Sequence, residues 1–156
     1  MHHAGTLQEI ITAYQRAPAF QDLAPVTRKG YVQRIRKIET RFGDLPLRAL
    51  PDPRVRGDFL DWRDAMKGKR EADYCLTVLA RILSWAKDRG RVSVNPLERP
   101  GRLYSGSRVD SVWTDAEVAA LLSKASIAVA LPFLIALHTG QREGDILRLT
   151  WAAYDG

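Results

Sequence analysis

Residues 71–89 form the longest unbroken helical repeat in the chain, and that repeat sets the fold class. Ala72, Leu76, Leu79, Leu83 and Ala86 recur at three- and four-residue steps, with Cys75 and Ile82 beside them. This is the period of an amphipathic helix with one buried stripe. Gly90 follows, the residue that most easily takes the left-handed turn closing a helix. Similar steps recur in almost every other segment, whereas alternating apolar and polar runs with hairpin turns are missing. The chain is therefore expected to be all-α. Trp85, beside the stripe, is expected in the core.

Other helices carry their own start and stop signals. Thr6 and Glu9 have capping-box spacing ahead of Leu7, Ile10, Ile11 and Tyr14, in a helix that Pro18 should close. Thr27 is the expected N-cap of a second helix over 27–42, ended by Gly43. Its inner face is Tyr31, Ile35, Ile38 and Phe42; Lys29, Gln33, Arg36 and Thr40 lie opposite, with Arg34, Lys37 and Arg41 on a flank. After a loop at 45–51, Asp52 and Pro53 supply the N-cap and first position of a third helix, striped by Val55, Phe59, Trp62 and Met66. A basic turn, Lys67-Gly68-Lys69-Arg70, leads into the long fourth helix. There Arg70, Tyr74, Thr77, Arg81 and Ser84 face away from the stripe.

Periodicity lapses over 91–112, where Pro96, Pro100, Gly101, Ser105, Gly106 and Ser107 stand among Arg99, Arg102 and Arg108. A linker over 97–112 is expected, dividing a domain at 1–96 from one at 113–156. Its arginines either solvate a connector or strap across a phosphate backbone. The second domain opens with a capping box, Thr114 and Glu117, and a hydrophobic staple, Trp113 and Val118. Residues 127–138 are almost wholly apolar and expected to be buried, with His138 an interior histidine. Thr139 and Gly140 break that helix. Residues 141–149 resume it, with Ile146, Leu147 and Leu149 inward.

Charge divides the chain in the same place. The whole carries 24 basic and 18 acidic residues, but residues 1–110 hold 21 against 13, a net of +8, and 111–156 hold 3 against 5, a net of −2. A basic module joined to a near-neutral one suits a polyanion, most commonly nucleic acid; a merely solvated basic surface is the plainer reading. One cysteine, Cys75, and three histidines, His2, His3 and His138, leave no zinc spacing, so neither metal nor cofactor is expected. No apolar run nears the ~18 residues that span a bilayer, and the start lacks the order of a secretory signal. A cytoplasmic protein is expected.

The most informative residues run from Thr139 to Trp151: Thr139-Gly140-Gln141-Arg142-Glu143-Gly144-Asp145-Ile146-Leu147-Arg148-Leu149-Thr150-Trp151. They resemble the first active-site box of the tyrosine recombinases, the phage integrase family: a T-G-x-R turn, an acidic residue three positions later and an I/L-L-x-L-x-W tail. The basic helical region before it, ending in R-G-x-x-x-x-N-P at Arg89-Gly90 through Asn95-Pro96, resembles that family's core-binding domain. Together the two resemblances cover residues 6–156.

The resemblance implies a four-helix SAM-like core-binding domain followed by the first helices of a truncated α+β catalytic domain. It also implies a C-shaped clamp on double-stranded DNA, with the second and fourth helices at the major groove and other recombinase protomers as partners of a full-length chain. In the family a tyrosine attacks a DNA phosphodiester, and Arg142 would be the first of two arginines holding the nonbridging oxygens. A guanidinium suits that task because it donates two parallel hydrogen bonds and stays charged throughout. Asp145, where the family more often has glutamate, would orient Arg142 or a neighbouring backbone group. The hairpin lysine, the H-x-x-R box, the later His or Trp and the tyrosine nucleophile cannot be mapped; Tyr154 lies outside any nucleophile motif and reads as structural. The chain alone is expected to be inactive.

Candidate DNA-contacting residues are Lys29, Gln33 and Arg36 on the second helix, Lys69, Arg70, Tyr74, Thr77 and Arg81 at the fourth, and Arg102 and Arg108 in the linker. The alternative is an integrase remnant that serves as a helical interaction module, self-associating through apolar residues at 131–137 and 146–151.

Overall fold

The computed structural model describes residues 5–106 and 112–153; Arg108 and Tyr154 lie outside them. Among the described residues the regular structure is helical with no strand, and Thr6 and Pro46 form an isolated antiparallel bridge. The chain divides into two compact units, the first ending at Gly106.

The first unit contains α1 (Leu7–Arg16), the short α2 (Pro18–Gln21), α3 (Pro25–Phe42), a 3-10 turn (Leu47–Ala49), α4 (Pro53–Asp64) and α5 (Lys69–Asp88). α5 is central and packs on α1, α3 and α4. Its stripe is buried as expected, and Val78 and Trp85 widen it. Tyr14 of α1 meets Phe20 and Trp85 edge-on, with centroids 5.7 and 5.5 Å apart. Phe42 of α3 meets Phe59 and Trp62 of α4 at 4.8 and 5.2 Å. These edge-to-face pairs fix how the helices interlock, beyond the apolar area they remove from water.

Helix starts depart from the local signals at α1, α3 and α5. Thr6 is the N-cap of α1, but its side chain makes no capping hydrogen bond. Instead the Glu9 carboxylate accepts from the Gly5 N–H at 2.7 Å, and the N–H groups of Leu7 and Gln8 reach the carbonyls of Leu45 and Gly43, both at 2.9 Å. The chain returning after α3 thus takes the orphan donors of α1. α3 begins at Pro25, two residues before Thr27, because proline at the first helical position already has the required φ. Pro18 likewise opens α2. The basic turn is shorter than expected, since Lys69 and Arg70 already belong to α5, and Met66 lies past the end of α4.

The expected linker is largely part of the first unit. Residues 97–106 belong to that unit: Leu97 is buried and its N–H donates at 2.8 Å to Oδ1 of Asn95, whose amide in turn donates to Ala80 O at 3.0 Å and Ser84 Oγ at 2.9 Å. Arg56 donates to the carbonyls of Pro96 and Glu98, and the buried Arg63 to Pro100 O at 3.1 Å. Side chains of α4 and α5 therefore satisfy a backbone that has no ladder of its own.

In the second unit, α6 (Asp115–Leu122) has its capping box: Glu117 N donates to Thr114 Oγ1 at 3.3 Å and Thr114 N to Glu117 Oε2 at 2.8 Å. The Trp113 ring meets Phe133 of α7 (Ile127–Thr139) at 5.1 Å. α7 is not buried as expected. Its residues Ile127, Val129, Leu131 and Leu137 are exposed, and so is His138, which is no interior histidine. α8 spans only Glu143–Ile146; Ile146 is buried, whereas Leu147 and Leu149, expected inward, are 66% and 47% exposed. α7 is apolar on every side, and α8 with Trp113 covers only part of it. Among the described residues no helix is long and apolar enough to cross a membrane.

Candidate nucleic-acid interface

On α3 the apolar stripe Tyr31, Ile35 and Ile38 faces the core, which leaves Lys29, Gln33 and Arg36 exposed on the opposite side. The flank behaves differently. Glu71 of α5 pairs with Arg34 through one carboxylate oxygen and with Lys37, at 2.7 Å, through the other. Arg34 also lies 4.5 Å over the Tyr74 ring and donates to Gly30 O at 3.1 Å. Arg34 and Lys37 therefore fasten α3 to α5. Burial alone raises the Glu71 carboxyl, but hydrogen bonds from Lys37 and Arg34 outweigh it and hold the group below the ordinary glutamate value.

Tyr74 belongs to the same seam. Its ring is half-buried and edge-on to Tyr31 at 6.1 Å. Burial pushes the Tyr31 hydroxyl up, only partly offset by the charge of Arg81 on the neighbouring helix. Thr77 is exposed, but its hydroxyl donates to Asp73 O at 2.7 Å, so that proton is already committed. Lys29, Arg36, Lys69 and Arg81 are exposed and take part in no ion pair among the described residues. Lys69 and Arg70 stand in the first turn of α5, where the macrodipole disfavours cations. Their position thus adds nothing to the stability of the helix.

Arg70, Tyr74, Thr77 and Arg102, four of the expected DNA-contacting residues, come together with Asp73 and Tyr104 around one open depression. Lys29, Gln33 and Arg36 do not line it. The Arg70 guanidinium lies 4.4 Å over the Tyr104 ring and donates to its hydroxyl at 2.9 Å. Asp73 accepts from Leu103 N, at 3.0 and 3.1 Å to its two oxygens, and from Tyr104 N at 2.9 Å. Burial alone raises the Asp73 carboxyl; these backbone donors, with Arg63 and Arg102 near, outweigh it and hold the group below the usual aspartate value. Sequence reasoning missed both Asp73 and Tyr104. The available signal was an acidic residue three positions after Arg70 and a tyrosine beside Arg102 in an otherwise polar stretch.

In the second unit the geometry of the 139–142 turn has a simple origin. Gly140 takes the left-handed conformation, φ +66°, and its N–H closes α7 on Ala136 O at 2.9 Å. Thr139 Oγ1 donates to Ile135 O at 2.6 Å and accepts from Gln141 N at 3.3 Å. Arg142 follows as the N-cap of α8 in extended conformation, exposed, with no ion pair among the described residues. Asp145 is exposed in the first turn of α8, and its carboxylate makes no hydrogen bond or ion pair with the Arg142 side chain. Direct orientation of the Arg142 side chain by Asp145 is therefore not seen, and Asp145 occupies a position that a helix dipole favours for any carboxylate. Comparison with models of protein families, with curated proteins and with solved structures gave no match. The family resemblance thus stands on the residues of this chain alone.

Proposed function

We propose that this chain is a DNA-binding part of a phage-type tyrosine recombinase. In this reading the first unit is the SAM-like core-binding domain, the second is the start of the catalytic domain, and Arg142 is the first phosphate-holding arginine. The observation that carries it is the 139–151 motif together with its local geometry: a left-handed Gly140, then Arg142 exposed at a helix start with no carboxylate paired to it. The exposed cations of α3 and α5 supply the complementary charge for duplex DNA.

Such binding is electrostatic and releases counterions. With ~5 phosphate contacts, log affinity should fall against log salt with a slope near −4.5. Fluorescence anisotropy on a short duplex checks this, and a flat salt response would sink it. The same protein should leave a suicide substrate uncut, because phosphate binding by one arginine without a nucleophile and a general acid gives no cleavage. Nicking by the purified chain would refute that part.

A second reading, a helical module that associates with itself, is favoured by the exposed apolar residues of α7 and by Leu147 and Leu149. Light scattering across a concentration series separates the two: a strictly monomeric species removes the second reading.

A further inference from the structure

We propose that Asp73 is a clip that fastens the chain leaving the first unit onto α5, and so builds a site for a single DNA phosphate from Arg70, Arg102 and Tyr104. The inference rests on the DNA-binding reading and names one subsite of it. Asp73 accepts backbone hydrogen bonds from Leu103 and Tyr104, thirty and more residues along the chain. A carboxylate used in this way contributes nothing to anion binding directly. It fixes the direction in which the segment 102–104 runs.

That direction sets two side chains. Arg102 and Arg70 line the same depression, one from the clipped segment and one from the first turn of α5. Tyr104 lies under the Arg70 guanidinium, which donates to its oxygen at 2.9 Å. The Tyr104 hydroxyl accepts that bond, so its own proton is left to donate to a phosphate oxygen beside the two guanidinium groups. The chain then passes the hydroxyl end of Tyr104: a Cβ on Gly106 would lie 2.1 Å from Tyr104 Oη, so only glycine fits there without displacing the side chain. Stacked under the Arg70 guanidinium, the Tyr104 ring has one face already fixed before binding.

The test exploits a sign. Asp73→Ala removes a negative charge from a DNA-facing surface, and Coulomb's law alone makes that variant bind more tightly. The clip predicts the opposite, weakening on the order of ten-fold. Anisotropy titrations of a short mixed-sequence duplex with wild type and Asp73→Ala read this directly; equal or tighter binding by the variant overturns the proposal. Amide hydrogen exchange reads the clip without DNA. Leu103 and Tyr104 N–H should be protected in the wild type and exchange freely in Asp73→Ala, and unprotected amides in the wild type overturn the clip whatever the titrations show. If circular dichroism shows Asp73→Ala to be unfolded, Tyr104→Phe carries the test. It keeps the stack and removes the hydroxyl, so affinity should drop on the order of ten-fold, as for one hydrogen bond to a charged acceptor, with Leu103 still protected; undiminished affinity overturns the phosphate contact. A wild-type protein with both amides protected and no affinity for duplex DNA is the distinct failure of the DNA reading, and it removes the phosphate role as well.

Discussion

Tyr14 shows what a single side chain contributes and what it costs. Its ring is fully buried between Phe20 and Trp85, yet its hydroxyl has no hydrogen-bond partner among the described residues. A buried hydroxyl without a partner is destabilising by its lost hydration, whereas the ring is stabilising by its packing. Tyr14→Phe keeps the ring and removes the oxygen, so it should raise the free energy of unfolding by about 1 kcal/mol. Urea denaturation checks this, and a loss of stability would show that the hydroxyl has a role the packing does not reveal. Trp85 belongs to the same cluster; its indole N–H is also without a partner among the described residues, while Arg89 and Arg91 lie 4.7 and 5.5 Å from its ring. At this scale the sequence was readable where burial alone decided, as for Trp85 and the α5 stripe. It was unreadable where a polar side chain found a remote partner. Asp73 looks like an ordinary surface residue until the chain at 103–104 is folded against it.

Between elements, the α3–α5 seam is where electrostatics and packing meet. Glu71 holds both Arg34 and Lys37, so two cations of the expected basic flank share one carboxylate within the fold. Because the folded-state value of Glu71 lies below the ordinary one, protonation is harder in the folded chain than in the unfolded chain. The pairing therefore contributes stability above the ordinary glutamate value, and that contribution is lost as the pH falls through the depressed one. Solvent screening keeps it modest, about 1 kcal/mol at neutral pH. Melting temperature followed into the acid range should fall less steeply for Glu71→Gln than for wild type; parallel curves would contradict the assignment. Element boundaries were legible where chain-local chemistry sets them, as with Asp52 accepting from Arg54 N at 2.9 Å and Gly90 at φ +66°. They were not legible at α1, whose first donors are taken by the carbonyls of Gly43 and Leu45, because a tertiary partner leaves no trace in local spacing.

For the molecule as a whole, the all-α character followed from one period repeated along the chain, and the charge asymmetry foreshadowed two units. The boundary itself lay further along than composition indicated, since proline- and glycine-rich stretches read as connectors even when arginines of α4 anchor them. α7 was misread for the opposite reason: an apolar sequence specifies that a helix prefers burial, not that the residues around it provide enough cover. The central claim is that the exposed cations of α3 and α5 bind the phosphates of duplex DNA. Its most direct test is the salt dependence of duplex affinity for wild type beside the triple variant Lys29→Gln, Arg36→Gln, Arg81→Gln. If all three touch phosphate, the slope of log affinity against log salt should become shallower by about 2.7, uniformly across DNA sequences; an unchanged slope and affinity would contradict the claim.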